Sequence, residues 1–135
     1  LWELPVYAVF TPPELRAEMQ KRQTWFDAAG GQITGFDYNL WATKEYGGFE
    51  MTKDELVATL KYSLDQRLAG NRAPFLFGAH TDYYVADFDT TAVNATVADR
   101  RAAIEEFLDY ALSKKEVKIV TYKTVLDWMG NPKAN

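Results

Sequence analysis

The chain contains no cysteine and a single histidine, His80. Without cysteine, disulfides and thiolate metal sites are excluded, and the cellular compartment is left undetermined. No run of Lys and Arg exceeds two consecutive residues and the net charge is −4, so the sequence offers no basic surface for nucleic acid. No apolar run approaches the roughly 20 residues that a bilayer-spanning helix needs, so no membrane segment is predicted.

Composition and length predict one folded domain. Hydrophobic residues make up 47% and charged residues 25% of the chain, which are globular values that argue against wholesale disorder. No linker or internal repeat divides the sequence, so we expect a single domain over residues 1–135. The chain starts directly in a strand-like run, and we therefore expect it to be a piece of a longer protein.

Strand-like and helix-like segments alternate along the sequence. The strongest helix signal follows Thr52 and Glu55, which form a capping box before leucines that recur every four residues. A similar box at Thr11 and Glu14 predicts an earlier helix that runs to about Gln23. The predicted order is strand 1–10, helix 11–23, an irregular segment 33–41, helix 52–70, strand 75–80, helix 97–113, strand 117–121 and a short helix ending at Gly130.

This alternation predicts the fold class. Alternating strands and helices are typical of a parallel sheet with helices packed outside it, and the third long helix should bury Leu108 and Leu112. A complete (β/α) barrel takes about 250 residues, so this chain is predicted to be α/β and the C-terminal half of such a barrel. Half a barrel has two open sheet edges, which we expect to bind the missing N-terminal half or a second copy of the chain.

His80 stands where the predicted strand 75–80 ends. In barrel-like α/β folds, chemistry collects at the C-terminal ends of strands, because the loops there form one rim. An imidazole exchanges protons near neutral pH, so His80 is a candidate proton-transfer group. The alternative is a histidine that only makes a hydrogen bond in a loop, since one titratable group does not define a site.

Three short motifs resemble one enzyme family. Residues 1–5 read Leu-Trp-Glu-Leu-Pro, similar to a motif near the end of invertebrate-type chitin deacetylases and their bacterial relatives. Residues 71–75, five positions before His80, resemble the Asn-Arg-Ala-Pro-Phe segment of the same group. Residues 107–110 and 120–122, followed by Trp128, resemble its closing helix–strand–helix unit. The chain thus resembles polysaccharide deacetylases of carbohydrate esterase family four.

The resemblance implies a fold and an activity. Members of this family are deformed (β/α) barrels that remove the N-acetyl group from GlcNAc units of chitin or related polymers with a divalent metal, usually zinc. One aspartate and two histidines hold the metal, a neighbouring aspartate is the base, and a later histidine protonates the departing amine. His80 matches that later histidine. The resemblance also implies a secreted or periplasmic protein.

The sequence departs from the family pattern in two respects. It contains no Asp-Asp pair, and it has only one histidine. The metal ligands and the general base of the family are therefore not encoded in this chain. The complete enzyme is expected to bind zinc, whereas this chain alone is expected to bind no cofactor. Many relatives also carry leucine two residues before the acid histidine, lining the acetyl pocket, where this chain has Gly78.

Other residues are candidates for substrate binding. Trp2 is a candidate wall of the acetyl pocket, although a large residue in a strand is equally suited to the core. Tyr83 and Tyr84 are candidates for stacking on a sugar ring, or alternatively for packing on the last helix. Asp82 is placed to tune His80 or, more ordinarily, to cap a turn.

Three functions remain open on the sequence. In the first, the chain contributes the acid histidine and part of the substrate groove to a deacetylase, and it is inactive by itself. In the second, it is a non-catalytic carbohydrate-binding protein that uses the loop carrying Tyr83 and Tyr84. In the third, it is an assembly fragment that associates through its open sheet edges.

Overall fold

The computed structural model describes residues 3–86 and 92–132, so the predicted pocket residue Trp2 lies outside the described residues. Helices dominate the described part of the chain. They are α1 (Pro13–Arg22), α2 (Asp37–Trp41), α3 (Lys53–Ala69), α4 (Val97–Leu112) and α5 (Tyr122–Gly130), with short 3-10 turns at Lys44–Tyr46 and Thr81–Tyr84. None of the helices in these ranges is both long and apolar enough to cross a membrane.

The sheet in the described residues is a two-stranded antiparallel ribbon. Strand β1 (Val9–Phe10) pairs with β2 (Gln32–Ile33), with Val9 opposite Ile33. The prediction of a half barrel with parallel strands is therefore wrong. Of residues 3–10, which are the described part of the predicted strand 1–10, Val9–Phe10 alone lie in a strand, and residues 75–80 contribute one parallel bridge, from Gly78 to Phe36. Residues 117–121 form no strand.

The physical reason is that a strand needs a hydrogen-bonding neighbour. Apolar and β-branched residues favour strands, which is why these segments look strand-like in the sequence. Within the described ranges, however, no parallel neighbour runs beside them for more than a single bridge. The sequence pattern therefore does not determine the pairing.

Helix starts were predicted with mixed success. The capping box of α3 is confirmed, because the Thr52 side chain accepts the Glu55 N–H and the Glu55 carboxylate accepts the Thr52 N–H. The box predicted at Thr11 is wrong: Pro12 caps α1, and the Thr11 hydroxyl instead donates to the Gly31 carbonyl at 2.8 Å. Thr96 forms a further box at the start of α4 that the sequence analysis missed.

The hydrophobic core lies between α3, α4 and the aromatic segment around α2. Each fully buried leucine contributes about 1.5–3 kcal/mol relative to exposure. The contributing side chains include Leu56, Leu60 and Leu64 of α3, Ala103, Phe107 and Ala111 of α4, and Phe26, Trp41, Phe49 and Met51. The expected burial of Leu108 and Leu112 is wrong, since both are exposed on the far side of α4.

One ion-pair cluster joins α3 to α4 and predicts a pH effect. Lys53 and Lys61 each place Nζ at 2.8 Å from the Glu106 carboxylate, and their hydrogen bonds lower the pKa of Glu106 from 4.5 to about 2. Because the folded-state pKa is depressed, this stabilisation is present above pH 4.5 and is lost as the pH falls towards about 2.

We therefore expect Glu106→Gln to lower the urea midpoint of unfolding at neutral pH. The difference from wild type should shrink as the pH falls from 4.5 towards about 2, where Glu106 is protonated. Glu105→Gln, one residue away on the exposed side of α4, is the matched control and should leave the midpoint unchanged. A midpoint difference that is constant with pH would show that the variant acts through packing rather than charge.

Candidate functional site

The candidate site forms where two chain segments meet at the bridge between Phe36 and Gly78. The Asp37 N–H donates to the Gly78 carbonyl at 2.9 Å, and the Gly78 N–H donates to the Gly35 carbonyl at 2.8 Å. These bonds fix the start of α2 beside residues 78–80. Asp37 and His80, which are 43 residues apart in sequence, are brought into contact as a result.

Asp37 and His80 form a hydrogen-bonded dyad. His80 Nδ1 lies 2.7 Å from Asp37 Oδ1, and the His80 N–H donates to Asp37 Oδ2 at 2.8 Å. The Tyr38 N–H also donates to Oδ1 at 2.8 Å. The Asp37 side chain is fully buried, whereas 49% of the His80 side chain is exposed. The buried carboxylate is thus held by three donors and in turn orients the imidazole.

This arrangement assigns different roles to the two ring nitrogens of His80. A carboxylate facing Nδ1 favours the tautomer that carries its proton there, which leaves Nε2 as the outward nitrogen. Within the described ranges, Nε2 has no hydrogen-bond partner. An oriented imidazole with one free nitrogen can accept or donate a proton at that nitrogen, as in acid–base catalysis.

The sequence analysis located His80 but did not identify its partner. Asp82, two residues further on, was considered as a tuning group, with turn capping as the more ordinary role, and the structure places Asp37 against the imidazole. No local signal in the sequence marks this contact, because Asp37 lies 43 residues before His80.

Two aromatic rings surround the imidazole. Tyr38 meets His80 edge-on with ring centroids 5.4 Å apart, Phe36 lies 6.1 Å from His80, and the Phe36 and Tyr38 rings stack at 5.7 Å. Tyr38 is exposed to solvent. The surface beside the dyad is therefore aromatic and accessible, which suits the apolar face of a sugar ring or an acyl group.

The Phe36 ring also accounts for Gly78. A Cβ at position 78 would lie 2.3 Å from Phe36 Cδ1 and 2.5 Å from Cε1, so no larger residue fits unless the ring moves. The family resemblance implies a leucine at this position. The chain has glycine instead, and the Phe36 ring occupies the space that a leucine side chain would need.

The turn Thr81–Tyr84 carries the two predicted sugar-stacking residues. It is anchored to α4, because Arg100 Nε donates to the Tyr83 carbonyl at 2.6 Å and Arg101 Nε donates to the Tyr84 carbonyl at 2.7 Å. The turn contacts α4. Sugar stacking by Tyr83 and Tyr84, and the alternative of packing on the last helix, both stay predictions.

The Tyr84 hydroxyl is buried near Trp41. It accepts a hydrogen bond from Trp41 Nε1 at 3.3 Å. Burial, and to a lesser degree the Asp37 carboxylate, raise the pKa of Tyr84 far above its usual value, so the hydroxyl keeps its proton.

Metal ligands are a separate question from the dyad. In the described ranges, no three His, Cys, Asp or Glu side chains cluster in a way that could hold a metal ion. Asp37 and His80 alone give two donor groups, and both are committed to each other. The described residues therefore do not fit the zinc centre that the resemblance implies for a complete enzyme.

Comparison with known proteins identifies no relative. The chain matches no family model, no curated protein and no solved structure. The resemblance to polysaccharide deacetylases thus stays a prediction from short motifs, and the dyad has to be interpreted from its own geometry.

Proposed function

We propose that this chain contributes the proton-donating histidine and part of the substrate groove to a polysaccharide N-deacetylase acting on GlcNAc-containing polymers. The observation that carries the proposal is the contact between the buried Asp37 carboxylate and the half-exposed His80 imidazole. The motif resemblance independently implies the acid role for His80. A buried carboxylate behind the imidazole is what such an acid requires.

The chemistry assigned to His80 is a single proton transfer. When the amide bond of an N-acetyl group breaks, the departing nitrogen must gain a proton to leave as an amine. His80 Nε2, which points away from Asp37, delivers that proton, and the Asp37 carboxylate stabilises the imidazolium beforehand. The exposed Tyr38 ring lies beside His80, where it can contact the sugar or its acetyl group.

Activation of the attacking water is assigned to another part of the enzyme. The described residues do not fit a metal centre, so they are assigned no part in activating the water. The proposed partner is a metal-bearing segment, which precedes this sequence in a longer chain or belongs to a second polypeptide. Its substrate is a GlcNAc polysaccharide, and the chain alone is proposed to be inactive.

A non-catalytic carbohydrate-binding protein is the second candidate. The exposed Tyr38, the stacked Phe36 and the imidazole edge favour it, because aromatic surfaces bind sugar rings without any chemistry. Binding alone does not explain why the His80 ring is held by a fully buried carboxylate.

The test is acetate release by a fusion protein. This chain would be placed after the metal-bearing N-terminal segment of an active chitin deacetylase, and acetate would be measured with chitotetraose as substrate. We expect zinc-dependent release by the fusion and none by the chain alone. Two results together would favour the carbohydrate-binding protein instead. The first is chitotetraose binding to the chain in an NMR titration, and the second is a fusion protein that is folded and zinc-loaded but inactive.

A further inference from the structure

Two short elements carry the dyad, and they are joined at both of their ends. Asp37 is the first residue of α2 and Trp41 is its last. His80 directly precedes the turn Thr81–Tyr84, in which Tyr84 is the last residue. The contact between Asp37 and His80 joins the two starts, and Trp41 Nε1 donates to the Tyr84 hydroxyl at 3.3 Å to join the two ends. The dyad is thus one of two side-chain contacts that hold the turn against α2.

The hydrogen bond between Trp41 and Tyr84 ties the turn to the hydrophobic core. Trp41 is fully buried in that core, so its indole N–H has a fixed position. In the described ranges, no other hydrogen bond runs between the turn Thr81–Tyr84 and α2. A buried indole N–H needs an acceptor, because leaving a buried donor unsatisfied is costly. The Tyr84 hydroxyl supplies that acceptor.

The Tyr84 hydroxyl also lies within electrostatic reach of the dyad. Burial is the main cause that raises the pKa of Tyr84, and the charge of the Asp37 carboxylate adds to the rise. The Asp37 side chain is itself fully buried, so its charge acts on neighbouring groups with little screening by water. A change at the Tyr84 hydroxyl should therefore be felt at the carboxylate that orients His80.

We propose that Tyr84 is a positioning residue, whose hydroxyl holds the turn against Trp41 and thereby keeps the His80 imidazole on the Asp37 carboxylate. His80 depends on this because its side chain is 49% exposed and is held by one side-chain hydrogen bond, to Asp37. The hydroxyl end of Tyr84 faces the buried indole, so it is not presented to a ligand. The effect on the imidazole stands on these contacts alone, whereas any effect on catalysis rests on the proposed function.

Tyr84→Phe tests the proposal, because it removes the hydroxyl and keeps the ring. A long-range ¹⁵N–¹H correlation spectrum of the chain alone reports which nitrogen of the single histidine carries the proton. We expect the fraction of His80 protonated at Nε2 to rise at least about twofold, since the imidazole is held less closely to the carboxylate. Tyr46→Phe is the control and should leave that fraction unchanged, because Tyr46 is 71% exposed in the turn Lys44–Tyr46.

A tautomer that Tyr84→Phe leaves as in the wild type would overturn the inference. It would do so even if the urea midpoint fell, because Tyr84 would then only stabilise the fold. A purely structural role of the hydroxyl lowers the midpoint without moving the proton between the two nitrogens of His80.

Kinetics of the fusion protein provide the second measurement. Tyr84→Phe should lower kcat for acetate release about tenfold and leave KM for chitotetraose unchanged, since a misplaced proton donor affects the transition state alone. A raised KM with an unchanged kcat would assign Tyr84 to substrate binding and overturn the inference. An inactive wild-type fusion would count against the proposed function only, and the tautomer of His80 would then decide between a positioning and a structural role for Tyr84.

Discussion

Replacing His80 should abolish acetate release by the zinc-loaded fusion protein while leaving its fold and zinc content intact. His80→Ala removes the proton donor, and loss of a positioned general acid typically costs about 10²–10⁴-fold in rate. His80 is half exposed and lies outside the hydrophobic core, so the protein should stay folded, although the free energy of unfolding should fall because the buried Asp37 carboxylate loses one of its three donors. Three measurements separate these effects. Acetate release at saturating chitotetraose reports the catalytic rate, the zinc content reports metal binding, and the urea midpoint reports stability.

Asp37→Asn should produce a similar loss of rate by a different route. The amide that replaces the carboxylate can still accept the Tyr38 N–H, but it no longer stabilises an imidazolium or favours the Nδ1 proton. Asp82→Asn is the matched control, because the structure places Asp37 and not Asp82 against His80. Activity in His80→Ala equal to that of the unmodified fusion would remove the catalytic role proposed for the dyad.

The second large effect is expected at Gly78. Gly78→Leu forces a side chain into the space of the Phe36 ring, where even a Cβ would lie 2.3 Å from a ring carbon. Overpacking of this kind typically lowers the free energy of unfolding by about 1–3 kcal/mol. We expect a loss near the upper end of that range, because Gly78 also forms the backbone bridge to Phe36. Urea unfolding followed by circular dichroism measures this change in free energy.

The double variant decides whether Phe36 is the cause. Phe36→Ala should itself destabilise the protein, but combined with Gly78→Leu it opens the space that the leucine needs. The double variant should therefore lose at least about 1 kcal/mol less than the sum of the two single losses. Gly130→Leu is the control and should cost far less, because a Cβ added at this helix-end glycine would meet no atom within 4 Å. Strict additivity would show that the ring is not what excludes a side chain at position 78.

Features that depend on nearby residues were predictable from the sequence. The leucine spacing and the box of Thr52 with Glu55 predicted α3 to within a residue, because each signal lies within one or two turns of helix. His80 was likewise identifiable as a candidate site residue from its local sequence. The partner of His80 was not, since Asp37 lies 43 residues earlier and nothing local marks the contact.

Features that depend on distant neighbours were predicted poorly. Residues 75–80 and 117–121 have strand-like composition, yet their pairing depends on which other segments are present beside them. Leu108 and Leu112 have helical apolar spacing, but α4 buries Phe107 and Ala111 and leaves those two leucines exposed. Apolar periodicity in the sequence predicts that a helix has an apolar face, but it does not predict how much of that face is buried by neighbouring segments.

The most direct test of the account is the tautomer of His80. A long-range ¹⁵N–¹H correlation spectrum, recorded at a pH where the imidazole is neutral, reports which ring nitrogen carries the proton, and the single histidine makes the assignment unambiguous. The dyad predicts the Nδ1 proton in the wild type and in Asp82→Asn, with a shift towards the Nε2 proton in Asp37→Asn. A wild-type spectrum dominated by the Nε2 proton, or one that Asp37→Asn leaves unchanged, would contradict the claim that Asp37 orients His80 as a proton donor.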